Sequence, residues 1–219
     1  ILNTAAREFR NDYILVIEGS VPLKLPHACL FGDKTMKDWV ELLASNASAI
    51  VSAGTCAAFG GITDMDGMLN GAVSLDKFME LYKIDKPLIN LPNCPMKPEH
   101  LVYTILHQGR LGKLPALDSS YRPLEFYERT VHDRCIYYAD YQEKVFAKYI
   151  GDRGCLFKLG CQGPVTKNDC LVVGHNNNTN ICIKAGHPCI GCASEHFPRQ
   201  IMFHSFNDTR KIKNFKVIG

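Results

Sequence analysis

From residue 132 to residue 192 the chain places one histidine and seven cysteines at irregular intervals: His132, Cys135, Cys155, Cys161, Cys170, Cys182, Cys189 and Cys192. The last three thiols fall within "CIKAGHPCIGC", where Pro188 and Gly191 bend the backbone between them. A chain of 219 residues can bury a sizeable core and has little need of disulfide staples, so metal ligation is the better reading of this array. Eight donors make two four-coordinate sites. Iron–sulfur clusters and structural zinc both take thiolate ligands, four per site, and spacing alone leaves both open. Two features favour iron–sulfur. Zinc ribbons present paired C-x2-C knuckles, whereas here only Cys189 and Cys192 form one. A cluster is also wider than an ion, so scattered ligands suit it.

The first half of the chain has a different character. "DYILVIEG", "SAIVSAG" and "KPLINLP" are short apolar runs ended by Gly or Pro, the pattern of buried parallel strands. Between and after them, "KTMKDWVELLAS", "SLDKFMELYK" and "KPEHLVYTILHQG" space apolar residues three and four apart, and the last has Pro98 near its first turn and a stop at Gly109. Alternating strands and helices predict an α/β, doubly wound sheet over residues 1–115. Beyond about residue 115 the pattern dissolves into a Cys-, Gly-, Asn- and Pro-rich region, 116–219, with one further helix expected around "YYADYQEKVFAKYI". Cys56 and Cys94 each follow a predicted strand, at the carboxyl edge where doubly wound folds bind ligands. Taken singly, each is better read as a small buried hydrophobe, since free Cys is among the most buried residue types.

A net charge of +3 is too small to indicate a nucleic-acid partner. No apolar run reaches the about eighteen residues of a membrane helix, and "ILNTAAREFRNDY" lacks the apolar core of a secretory signal. The tail "FNDTRKIKNFKVIG" is short and basic, so membrane attachment is expected only through a partner.

Taken together, "VIEGSVP", "GTCAAFGGI", "LPNCPMKPEH", "VHDRC", "GCLFKLGCQGPVTKNDC" and "HPCIGCASEHFP" resemble the small, electron-transferring subunit of nickel–iron hydrogenases, in order from about residue 13 to 203. The resemblance implies a flavodoxin-like N-terminal domain and an irregular iron–sulfur C-terminal domain carrying a line of clusters. It implies a distal 4Fe-4S cluster on His132, Cys135, Cys155 and Cys161. Cys170, Cys189 and Cys192 would hold the medial cluster. Relatives with proline at the position of Cys182 carry a 3Fe-4S medial cluster and those with cysteine, including nickel–iron–selenium enzymes, carry 4Fe-4S, so a medial 4Fe-4S cluster of lower potential is expected here.

A proximal 4Fe-4S cluster would use Cys56 and Cys94 with a C-x2-C pair that this sequence lacks; the expectation is that the opening strand and that pair precede Ile1. Three 4Fe-4S clusters are thus implied, the proximal one half-ligated by these residues. Cys29 matches a position that is not a ligand, and His27, His100, His107, His175, His187, His196 and His204 have no spacing that singles them out. The implied function is electron relay between a nickel–iron site on a large-subunit partner and an external carrier such as a cytochrome or a membrane redox subunit. The implied location is the cell envelope, periplasmic or on the outer face of the cytoplasmic membrane. Two rivals remain on the residues alone: a zinc-stabilised interaction module, and an iron–sulfur subunit of a related quinone or carrier oxidoreductase.

Overall fold

The structure is a computed structural model that describes residues 2–65 and 68–198. The chain forms two units, Ile1–Glu125 and Phe126–Gly219. The basic tail lies outside the described residues.

In the first unit, helix α1 (Leu2–Glu8) leads into strand β1 (Ile14–Glu18) and the two-residue strands β2 (Val21–Pro22), β3 (Leu30–Phe31) and β4 (Lys34–Thr35). Helix α2 (Met36–Ala44), β5 (Ala49–Ala53), helix α3 (Thr55–Phe59), β6 (Ala72–Val73), helix α4 (Leu75–Tyr82), β7 (Leu88–Leu91) and helix α5 (Pro98–Leu111) follow. The main sheet is parallel, in the order β1-β5-β7, with Ile14 opposite Ala49 and Ile50 opposite Leu88. Every residue of β5 and β7 is buried, which explains why their sequences are continuous apolar runs without alternation. Thr35 caps α2 by accepting the Asp38 amide at 3.1 Å. Helix α5 passes Gly109, the expected stop, and ends where Gly112 turns left-handed at φ 61° and its amide bonds the Gln108 carbonyl.

The core joins Val21, Val40, Ile50, Leu75 and Phe78, with Phe78 stacked on Tyr82 at 4.3 Å between ring centres. Each such fully buried side chain contributes about 1.5–3 kcal/mol. The first unit extends to Glu125, and 116–125 folds back onto the sheet. The Asn90 amide donates to the Tyr121 carbonyl at 2.8 Å, the Asn90 side chain to the Ser120 carbonyl at 3.0 Å, and the Leu124 amide to the Ala116 carbonyl. Arg122 pins that return by donating from Nε and Nη2 to Asp118 Oδ2 at 3.0 and 2.8 Å, both side chains being 7% exposed. Burial alone would raise the Asp118 carboxyl, but the Arg122 hydrogen bonds and charge hold it below the usual carboxylate range.

The second unit has little regular structure. A short helix, α6 (Leu124–Tyr127), straddles the boundary; α7 (Tyr138–Gln142) and α8 (Cys170–Val173) are single turns, joined by 3-10 turns at His132–Arg134, Leu156–Leu159 and Gly163–Val165. The longer helix expected over 137–150 stops at Gln142. Lys144 adopts φ 60°, and the chain then turns to bond Cys155 from both sides, Cys155 N–H to the Val145 carbonyl and Ala147 N–H to the Cys155 carbonyl. Gly154, at φ 109°, is essential to that approach, since a Cβ there would lie 2.9 Å from the Val145 oxygen. Apolar burial comes in small groups, Val131 with Ile181, Ile183 and Cys189, and Ala147 with Leu156 and Leu159.

Candidate metal centres

Two cavities within the second unit gather the C-terminal donors. The first is walled by His132, Cys135, Cys155 and Cys161, with Leu156, Phe157 and Pro164 filling between them. Backbone pairing of 129–131 with 166–168, through Val131 N–H to the Thr166 carbonyl and Asn168 N–H to the Arg129 carbonyl, sets the His132 turn opposite the 155–161 loop. The His132 ring stands edge-on to Tyr141 at 4.5 Å, and Tyr141 in turn meets Phe157 at 5.4 Å.

The second cavity is walled by Cys170, Cys182, Cys189 and Cys192, with His175 and the apolar Val131, Ile181, Ile183 and Ile190. Cys189 is buried, Cys170 and Cys192 are half-buried, and Cys182 is exposed on the open side. The helix turn starting at Cys170 and the tight turn at Gly191, φ 77°, bring sulfurs from well-separated stretches onto one wall.

The two cavities share a boundary. Ile183 lines both. The Cys189 backbone N–H donates to the Cys161 sulfur, and the Cys189 carbonyl accepts from the Gln162 amide at 2.8 Å, so one residue joins a wall of each cavity.

Burial governs the thiols. It pushes Cys189 well above the usual thiol value and raises Cys161 and Cys135, with the neighbouring sulfurs adding to the shift. Backbone amides oppose it: Tyr137 N–H points at Cys135 at 3.4 Å, Gly163 N–H at Cys161, and Gly191 N–H at Cys189. Left without a metal, these groups are neutral thiols in an apolar wall. A cationic cluster held between them would make them thiolates, each already offered an N–H donor of the kind that tunes cluster potential. Among the described residues no three Cys, His, Asp or Glu side chains converge on a point a single ion would fill. The donors stand around the two cavities.

In the first unit, Cys56 lies in the first turn of α3 and Cys94 in the loop after β7. The two loops are bonded to each other at the carboxyl edge of the sheet, by Gly54 N–H to the Leu91 carbonyl and Thr55 N–H to the Asn93 carbonyl, each 3.0 Å. Burial raises the Cys94 thiol, and the nearby Cys56 sulfur raises it further. Gly61 permits the close turn around Cys56, because a Cβ there would lie 2.9 Å from its sulfur. Two donors do not complete a four-ligand site. Cys29 stands apart, its sulfur 3.6 Å from the Met36 sulfur.

Sequence reasoning passed over three features: His175, whose Nε2 lies 3.5 Å from the Cys170 sulfur; the shared wall at Ile183; and the amide donors to sulfur. The C-x4-H spacing from Cys170 to His175 was the one signal available.

Residues 127–205 match the family model for the C-terminal part of the NiFe/NiFeSe hydrogenase small subunit, and residues 1–108 match that for the 20 Kd subunit of NADH ubiquinone oxidoreductase. Over 202 residues the chain is 33% identical to the uptake hydrogenase small subunit of Azotobacter vinelandii, covering 90% of this chain and 55% of that protein. Against the periplasmic [NiFeSe] hydrogenase small subunit of Desulfomicrobium baculatum, the identity is 34%, covering 88% and 66%. The chain therefore spans about half to two thirds of the length of such curated relatives. The solved [NiFeSe] hydrogenase of Desulfovibrio vulgaris Hildenborough superposes with a TM-score of 0.82 at 34% identity, covering 90% of this chain and 76% of that one. The reduced, active nickel–iron–selenium hydrogenase of Desulfomicrobium baculatum gives 0.84 at 31%, covering 97% and 80%.

Proposed function

The chain belongs to the NiFe/NiFeSe hydrogenase small-subunit family, and on that premise we propose that it relays electrons between a hydrogen-converting large subunit and an external acceptor. The carrying observation is the pair of adjoining cavities, one ringed by His132 and three cysteines and the other by four cysteines with His175 beside them. His132, Cys135, Cys155 and Cys161 would hold a distal 4Fe-4S cluster, and Cys170, Cys182, Cys189 and Cys192 a medial one. Cys56 and Cys94 supply half of a proximal site. Thiolate-bound iron–sulfur clusters supply one-electron, outer-sphere transfer. The protein's part is to exclude water with Ile183, Leu156 and Val131, to donate amide hydrogen bonds to the sulfurs, and to bridge the two sites through the Cys189 backbone.

Ile62, Met68 and Leu69, which follow the Cys56 loop in sequence, are large exposed apolar side chains, and they are the ones expected to be covered by the large subunit. The rival reading as a quinone-linked subunit draws on the match of the N-terminal half alone, and the donor array of residues 132–192 argues against it. A periplasmic setting follows the name of one relative; no helix among the described residues is long and apolar enough to cross a membrane.

The test is hydrogen-driven reduction of the complex with its large subunit, followed by low-temperature EPR. Reduced-cluster signals that rise under hydrogen support the relay. Signals that respond to dithionite but never to hydrogen contradict it.

A further inference from the structure

The aromatic contacts that begin at His132 do not stop inside the unit. From the His132 ring they pass to Tyr141, then to Phe157 and Phe146, with 5.4 Å between the Tyr141 and Phe157 ring centres and 6.5 Å between Phe146 and Phe157. Phe157 is 43% exposed and Val145 is 47% exposed, so the chain of rings ends in an apolar surface. Beside it, Lys144, Lys148 and Lys158 open onto one hollow with Phe146, Tyr149 and Leu159, and Lys158 Nζ sits 4.6 Å over the Phe146 ring. Lys158 and Leu159, from the 155–161 loop that carries Cys155 and Cys161, line that hollow.

The charge of this face is lopsided. Residues 143–158 hold four basic side chains, Lys144, Lys148, Arg153 and Lys158, against Glu143 and Asp152. Asp152 is turned onto its own loop, where its Oδ2 accepts the Lys148 and Tyr149 amides at 3.2 and 3.0 Å. None of the three lysines is ion-paired within the described residues. An exposed apolar centre with an unneutralised basic rim, one residue shell from a redox site, is a surface for brief, charge-steered encounters.

We propose that the face formed by Phe157, Val145, Lys144, Lys148 and Lys158 docks an acidic iron–sulfur carrier protein of the ferredoxin class. This inference rests on the relay reading, since it needs a redox centre at His132, Cys135, Cys155 and Cys161. In the transfer, one electron leaves the reduced distal centre and enters the oxidised cluster of the carrier; no bond is made or broken and no proton moves. The basic rim selects against a basic cytochrome, which it repels.

The experiment uses the full chain in complex with its large subunit and two probes, an acidic 2Fe-2S ferredoxin and a basic c-type cytochrome. Affinity is measured by calorimetry at low and high salt. Ferredoxin binding is expected to weaken about tenfold or more when salt rises from about 50 to about 500 mM, and by a similar factor in the triple variant Lys144→Glu, Lys148→Glu, Lys158→Glu. The neutral triple variant, each lysine to Gln, should fall between. Cytochrome binding should be weaker than ferredoxin binding in the unaltered complex and gain in the charge-reversed one. Ferredoxin affinity insensitive to salt and to both variants, tighter binding of the cytochrome, or saturable binding of inorganic phosphate with no ferredoxin bound would each overturn the proposal. EPR of each preparation separates the two readings: a missing distal-cluster signal in the unaltered complex removes the relay itself, whereas an intact signal without salt-sensitive docking removes only the carrier.

Discussion

In the first unit, β5 and β7 are buried residue by residue and Val21, Ile50, Leu75 and Phe78 close around them. In the second, buried apolar side chains come in groups of three or four, with cysteines packed among them, and no helix among the described residues there exceeds five residues. Both stretches are ordinary in hydrophobic content at the level of the chain, yet only one builds a layered core. The contrast shows what the thiols do: where strands and helices bury enough surface, cysteines sit at the edge as Cys56 and Cys94 do, and where they do not, cysteines are the wall. On the relay reading, the second unit would depend on what its thiols hold and the first would not.

Iron removal should separate the units most sharply. Chelation under reducing conditions is expected to lower hydrogen-exchange protection across residues 126–198 far more than in β5, β7 and α4, because ligand binding there contributes folding free energy. Equal loss in both units would show that the first unit is not independently stable.

The reverse experiment is Arg122→Met. It leaves the Asp118 carboxylate buried without its cation and should cost the first unit about 3–5 kcal/mol in urea unfolding, with the EPR signals of the two second-unit clusters unchanged. The Arg122 guanidinium also lies 6.0 Å from the Phe59 ring, so a change confined to the Cys56 environment is the accompanying mark.

Within the second unit, Cys182→Ala should leave the medial site with three thiols and convert it to a 3Fe-4S centre. The expected change is about one iron fewer per chain, a new signal in the oxidised protein and a higher medial potential. Unchanged iron content would remove Cys182 from the ligand set.

The smallest effect is on the apo form. Burial raises Cys135, Cys161 and Cys189 above the usual thiol value of 9.0, so the folded apo state holds its protons longer than the unfolded chain. Below about pH 9 both states are protonated and stability is flat; above it the unfolded chain ionises first and stability falls with rising pH. Urea midpoints of apo protein between pH 7 and 10 should show this decline in the second unit more than in the first, where burial raises Cys94 and Tyr13. The metal-loaded form, whose thiols are already ionised, should not show it.

The sheet was legible because its signals are local. "SAIVSAG" and "KPLINLP" state burial in a run of adjacent residues, and Thr35 or Pro98 marks a helix start within a turn. The return of 116–125 was not, since it depends on Asn90 bonding residues about thirty positions away. The helix expected over 137–150 failed for the same reason: its apolar spacing is helical, but Val145–Ala147 bond Cys155 instead. At the site, the donor types and their number could be read from spacing. That Ile183 would divide two cavities, that the Cys189 backbone would join them and that His175 would reach Cys170 are facts of packing that no spacing records.

The most direct measurement is iron, zinc and acid-labile sulfide per chain in anaerobically purified protein, read alongside low-temperature EPR before and after dithionite. Two four-iron sites in the second unit predict about eight irons with matching sulfide, no 3Fe-4S signal when oxidised and new signals on reduction. Zinc without sulfide, and no signal in either state, would contradict the relay outright.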